Sequence, residues 1–163
     1  MKTDILIKEK TKGKTLGVAG GNYRIILSGN DTDQNYSVIE MVVPPGGGPP
    51  PHEHPHMQEM FYVLEGEVEF KTTQGKFTMS AGDLVNIPFN GGIHCFQNIS
   101  DTSVRLLCTV VPAGLDEVFE KIGVPAALGE FPPVPEMTEE RKALLKQLDE
   151  EHKQTTYPKN YLD

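Results

Sequence analysis

Two stretches decide how this chain is read: Gly46-Gly-Gly-Pro-Pro-Pro-His52-Glu-His54-Pro-His-Met-Gln-Glu59, followed by an apolar run to Gly66, and Gly82-Asp-Leu-Val-Asn-Ile-Pro88 with His94-Cys-Phe-Gln-Asn98. His52 and His54 are two apart, so on an extended strand both side chains leave the same face. Glu59 lies five beyond His54, the wrong parity for a straight strand. Pro55 cannot donate to a ladder and permits the bend that brings the carboxylate back. In the second stretch His94, Phe96 and Asn98 share one face, Cys95 and Gln97 the other. Three imidazoles and one carboxylate suit a divalent first-row transition ion. The expected metal ligands are therefore His52, His54, Glu59 and His94. The donor set does not select among iron, manganese, nickel, copper, cobalt and zinc.

Around these stretches the chain reads as all-β. Short apolar-alternating runs at 23–27, 36–43, 60–64, 67–72, 76–79, 84–87, 94–98 and 104–110 are separated by turn signals such as Glu65-Gly66, Gln74-Gly75 and Ala81-Gly82-Asp83. Eight strands without intervening helices indicate a sandwich or barrel. A closed barrel brings the two hairpin regions together across its interior. Residues 1–112 form the expected barrel with its N-terminal strands, and residues 113–163 a proline-rich helical extension. In that extension Leu115, Val118, Phe119 and Ile122 share a helical face ending at Gly123. Thr138 offers an N-cap for a second helix running to about His152, with Glu139 and Glu140 in its first turn. Its narrow apolar stripe, Ala143, Leu144, Leu145 and Leu148, is expected to pack on the barrel's outside or on a neighbouring subunit. Thr155 to Asp163 read as irregular.

The 163 residues suffice for one well-buried core, and 37% are hydrophobic. A net charge of −8 without a basic cluster argues against nucleic acid and against anionic membranes as partners. The N-terminus lacks the apolar core and cleavage site of a secretory signal, which makes the cytoplasm the default compartment. Cys95 and Cys108 read there as reduced, buried small hydrophobes.

Gly46-x5-His52-x-His54-x4-Glu59-x6-Gly66 resembles the first motif of the cupin superfamily at each fixed position. Gly82-x5-Pro88 with His94-x3-Asn98 resembles the second. The resemblance implies a double-stranded β-helix, or jelly-roll, barrel with the same four ligands. The family's second motif usually runs Pro-x-Gly-x2-His, whereas Pro88-Phe-Asn-Gly-Gly-Ile-His94 carries one extra residue. Either Asn90 takes the left-handed conformation of the motif glycine, or Gly91 is that glycine and a bulge precedes it. His56 falls on the parity of His52 and His54 but outside the motif spacing, and is expected at the rim. The Gly46–Pro51 segment is either a mobile lip or a rigid connection. Phe61-Tyr-Val-Leu-Glu-Gly66 and Val111-Pro-Ala-Gly-Leu-Asp-Glu-Val-Phe119 are similar to small single-domain cupins of the quercetin-dioxygenase-like group.

Three functions follow as expectations. The first is a dioxygenase-like oxidoreductase acting on a small aromatic or enolisable substrate within walls formed by Phe61, Val63 and Phe96, with Glu59 as a catalytic base. The second is a non-redox metal-dependent isomerase or lyase. The third is a non-catalytic binding or sensing module. The absence of a Lys or Arg near the ligands in sequence favours a neutral ligand over a sugar phosphate. A homodimer is expected because edge strands of small β folds need cover.

Overall fold

The structure, a computed structural model, describes residues 4–163. Its strands, in chain order, are β1 (Lys14–Val18), β2 (Gly21–Leu27), β3 (Ser37–Val43), β4 (His52–Glu53), β5 (Gln58–Glu65), β6 (Glu67–Thr72), β7 (Gly75–Ser80), β8 (Leu84–Ile87), β9 (His94–Gln97), β10 (Val104–Val111), β11 (Val124–Pro125) and β12 (Thr155–Thr156). Two α-helices, α1 (Leu115–Ile122) and α2 (Glu139–His152), follow the barrel strands. The strands form two antiparallel sheets, ordered β11-β1-β2-β3-β10-β5-β8 and β12-β4-β9-β6-β7. This is the expected jelly roll. No helix among the described residues is long and apolar enough to cross a membrane.

Alternation builds the core. On β5, Glu59, Phe61 and Val63 point inward, while Tyr62 and Leu64 stand about 40% exposed on the other face. Register sets Cys108 of β10 between Ile39 of β3 and Phe61 of β5, all three buried. Across the sandwich, Phe61 meets Phe70 of β6 and Phe96 of β9, with ring centroids 5.4–5.6 Å apart in tilted and edge-on pairs. Burying each ring contributes roughly 2–3 kcal/mol, and the trio closes one sheet on the other. Both cysteines are free and buried, as expected.

The extension returns to the barrel. Asp116, in the first turn of α1, is buried and accepts hydrogen bonds from the amides of Gly114 and Gly29, which ties that helix start to the loop after β2. Thr138 caps α2 by accepting from the Arg141 amide at 3.2 Å. The helix ends at Lys153 in the left-handed conformation, φ 52°. β11 pairs with β1 and β12 with β4. The α1 face carrying Phe119 joins the central core, where its ring lies 5.3 Å from Tyr23.

One charged group is held on the outer face. Glu40 of β3 is only 6% exposed and sits between Arg24 of β2 and Arg105 of β10. Burial pushes its carboxyl pKa up, but the hydrogen bonds from Arg105 and Arg24 outweigh it and hold the value below the ordinary one. The stability this supplies is complete above the unfolded carboxyl pKa, about 4.3, and is lost as pH falls through the lower folded value. Glu40→Gln is expected to lower stability by about 1–2 kcal/mol at neutral pH, since Arg105 is largely solvated. In acid the deficit should shrink. Denaturant titrations of both proteins at neutral pH and below pH 4 check this, and a deficit that grows on acidification would contradict it.

Candidate metal centre

The turn after β4 brings the first three ligands together. The Met57 amide donates to the His54 carbonyl at 3.2 Å, so the chain reverses over Pro55 and His56. Glu59 thereby comes back beside the two histidines from β5. His94 opens β9 and is the register partner of His52 across the β4–β9 pair. The loop before His94 carries the extra residue, and Asn90 takes the left-handed conformation, φ 58°, as the first alternative had it. Its amide donates to the Pro55 carbonyl at 3.0 Å, which pins the second motif to the first.

The four donor atoms of His52, His54, Glu59 and His94 lie within 4.8 Å of one another, and His54, Glu59 and His94 are buried. Ligands ~2.1 Å from one ion stand roughly 3 Å apart in cis and about 4.2 Å apart in trans. The close pairs at 3.0 and 3.4 Å therefore fit cis positions, and the widest, within 4.8 Å, needs a contraction of about half an ångström around a single cation. The hydrogen bonds also orient the rings. Nδ1 of His52, His54 and His94 lies 2.9, 3.1 and 2.9 Å from the carbonyls of Pro50, Met57 and Gly92. A carbonyl only accepts, so each Nδ1 carries the hydrogen and each Nε2 is left with its lone pair. His54 Nε2 is 3.0 Å and His94 Nε2 3.4 Å from the same oxygen of Glu59. Lone pairs facing a carboxylate repel unless a cation stands between them.

A proton meets this need only in part. The His54 pKa is raised: burial opposes protonation, but the Glu59 carboxylate outweighs it. That of His52 is pushed down to about 4, by burial first and by His94 next. Glu59 is held well below the carboxylate range, because the hydrogen bond with His54 and the neighbouring imidazoles overcome its burial. His94 Nε2 still has no hydrogen-bond partner, although it is buried. Such orphaned atoms are rare in folded proteins. A divalent ion would satisfy all three nitrogens at once, and the cluster is able to hold one.

Above the cluster lies a cavity of about 370 Å³, a size suited to a small organic molecule. His52 and Glu59 are in its floor with Phe61, Phe96 and Met41. Val63 does not line it and lies wholly in the core. Tyr36 and Tyr62 are about 40% exposed, away from it. His56 is exposed, outside the cluster and not among the residues lining the cavity, where a place at the rim was expected. Gly46–Pro51 is latched in place. The Gly46 amide donates to the Asn98 carbonyl, the Asn98 amide donates to the Gly47 carbonyl, and a Cβ at Gly48 would lie 2.0 Å from the Phe96 carbonyl oxygen. The rigid-connection alternative describes this segment.

Sequence reasoning missed the roof. α1 contributes Leu115, Val118, Phe119 and Ile122, and α2 contributes Arg141, Leu145 and Leu148. Leu145 and Leu148 of the α2 stripe thus face the cavity, while Ala143 is exposed and Leu144 does not line it; an outer barrel wall or a neighbouring subunit was expected. Arg141 stands four residues before Leu145 on that face, and this helical spacing was the available signal. A basic side chain does border the ligand space, supplied from 82 positions beyond Glu59.

Residues 39–110 match the family model described as a cupin domain. Germin-like protein 5-1 of Oryza sativa subsp. japonica is 37% identical over 95 residues, which cover 55% of this chain and 42% of that protein. Germin-like protein subfamily 2 member 1 of Arabidopsis thaliana is 32% identical over 145 residues, covering 80% and 60%. The chain thus spans about half the length of these curated relatives. Among solved structures, a predicted oxalate decarboxylase from Thermotoga maritima superposes with a TM-score of 0.58 at 21% identity, over 66% of this chain and 99% of that one. Ectoine synthase from P. lautus gives 0.58 at 17%, over 82% and 96%. At such identities the superpositions speak for the fold. Motif spacing, sheet order and family match agree on a cupin-like jelly roll, with residues 39–110 as the part that resembles a cupin domain.

Proposed function

We propose that the protein is a metal-dependent oxidoreductase of the dioxygenase type, similar to the quercetin-dioxygenase-like group, acting on a small oxygen-bearing organic substrate. The observation that carries this reading is the buried, partnerless Nε2 of His94, set among two further imidazoles and one carboxylate on the floor of an apolar cavity. His52, His54, Glu59 and His94 would hold a divalent ion. When bound, that ion supplies Lewis acidity toward a substrate hydroxyl or enol.

The remaining roles belong to the chain. The carbonyls of Pro50, Met57 and Gly92 hold the imidazole rings in the tautomer that presents Nε2. Phe61, Phe96 and Met41 exclude water around the reacting end of the substrate. Glu59 is the one carboxylate on the cavity floor, and once displaced from the ion it would be placed to take the proton of an acidic substrate hydroxyl. Dioxygen is the oxidant, and both of its atoms enter the product.

Oxygen consumption tests this on protein loaded separately with iron, manganese and nickel and offered flavonol and diketone substrates. Uptake that depends on one of the ions is the expected result. No uptake with any of the three would overturn the oxidoreductase reading, and conversion without uptake would favour an isomerase or lyase.

A further inference from the structure

The cavity over the cluster has a barrel floor and a helical roof, and its ionisable lining is sparse. His52 and Glu59 belong to the cluster, and the Tyr23 phenol is kept neutral by burial, which pushes its pKa up; that leaves Asp149 and Arg141, both from α2. Asp149 is occupied by the fold. Its carboxylate oxygens accept from Gln154 Nε2 and Thr156 Oγ1, each at 3.2 Å, and its carbonyl accepts from the Gln154 amide. It fastens the last turn of α2 to the strand that follows.

Arg141 is differently placed. Its side chain makes one hydrogen bond, from Nη2 to the carbonyl of Ile122 at the end of α1, at 3.1 Å. It enters no ion pair among the described residues. A guanidinium offers five N–H donors in a planar fork that fits a carboxylate with two parallel bonds. Here most of those donors are free, and Arg141 lines the cavity together with Leu145, Leu148 and Val118. The Ile122 contact fixes the head without neutralising it. A half-buried, immobilised cation with no counter-ion, bordering an apolar chamber, is a receptor for an anion.

We propose that Arg141 is the anion clamp of this cavity and that its ligand is an apolar carboxylate, held by the fork at the roof with its hydrocarbon body between the α1 and α2 faces and the barrel floor. The end of the ligand that meets the cluster rests on the metal reading above, whereas the carboxylate end does not. This narrows the substrate class from neutral aromatic compounds to organic acids with an oxygen function at the opposite end. It also gives the helical extension a role in substrate selection.

The test compares 2-naphthoate with methyl 2-naphthoate, which share an aromatic body and differ by one charge. Affinities are read by ligand fluorescence on the protein as purified and again after chelation, with metal content measured on each sample. Naphthoate is expected to bind about tenfold tighter or more than the ester, with and without metal. Arg141→Met should abolish that preference while leaving ester affinity and metal content unchanged. Arg141→Lys keeps the charge without the fork and should retain part of the preference.

Equal binding of acid and ester to the wild type overturns the proposal. So does a preference that persists in Arg141→Met, and a preference that vanishes on chelation places the carboxylate on the cluster instead and also overturns it. Should Arg141→Met weaken the ester as well, by opening the roof, Arg141→Lys decides: a retained preference supports the clamp, and a lost one overturns it. A wild type that binds no metal yet prefers the acid refutes the metal reading alone.

Discussion

Glu59→Ala is expected to lose stoichiometric metal while the sandwich stays folded. Glu59 supplies the cluster's only negative charge, and its Oε2 is the atom that both His54 and His94 face. Without it, three imidazoles remain crowded together, with the His52 and His94 ring centroids 4.6 Å apart. Changes beyond the ligand shell already cost roughly 10–100-fold in metal affinity, and removing the anionic ligand itself should cost at least about as much. The core does not depend on Glu59, because Phe61 and Val63 on the same strand keep their partners in both sheets. Elemental analysis should therefore fall from about one equivalent to below a tenth, while the far-ultraviolet circular dichroism of the strands is unchanged. Glu59→Gln, which keeps a neutral oxygen donor, should fall between the two. Full stoichiometry in Glu59→Ala would remove the basis for the proposed centre.

Asn98→Ala should produce the largest loss of stability without touching a ligand. Asn98 is fully buried. Its Nδ2 donates to the carbonyls of Val43 at 2.9 Å and Thr102 at 2.7 Å, and its Oδ1 accepts from the amide and hydroxyl of Ser100. Its backbone bonds with Gly46 and Gly47 fasten the first motif to the second. Truncation leaves the buried Val43 carbonyl without this donor, whereas the carbonyl of exposed Thr102 keeps the Ser100 hydroxyl. At about 1 kcal/mol for each bond lost, the cost is about 3–4 kcal/mol. For a chain of this size the melting temperature should fall by roughly 6–14 °C. A shift within about 2 °C would show that the network is not what joins the two motifs.

The four cluster residues were legible because metal ligation imposes donor types and spacing on the sequence itself. His52, His54 and Glu59 lie within eight positions, and His94 follows a turn signature that survives one inserted residue, since Asn90 tolerates the left-handed conformation. The long strands were legible through two-residue alternation. β1 was not. Gly17 interrupts its pattern, and the reason is distant: a Cβ there would lie 2.2 Å from Pro132 Cγ. The two-residue strands β4, β11 and β12 are too short to show any period, and each exists only because a partner strand lies beside it. Arg141 and the cavity roof were hidden for a related reason. The sequence showed that α2 had an apolar face, but what that face meets depends on how the chain returns after the proline-rich connector.

The pairing of β12 with β4 couples the distal chain to the cluster. Thr156 is the register partner of His52, the Tyr157 amide donates to the Pro51 carbonyl, and the Tyr157 hydroxyl donates to Glu53. Thermodynamic reciprocity then requires that whatever steadies His52 must also steady residues 155–157, and by the same free energy that their docking lends to occupancy of the site. A stretch that carries no ligand thus acts as a tensioner for one, so sequence drift a hundred positions downstream can retune how tightly the centre grips its ion.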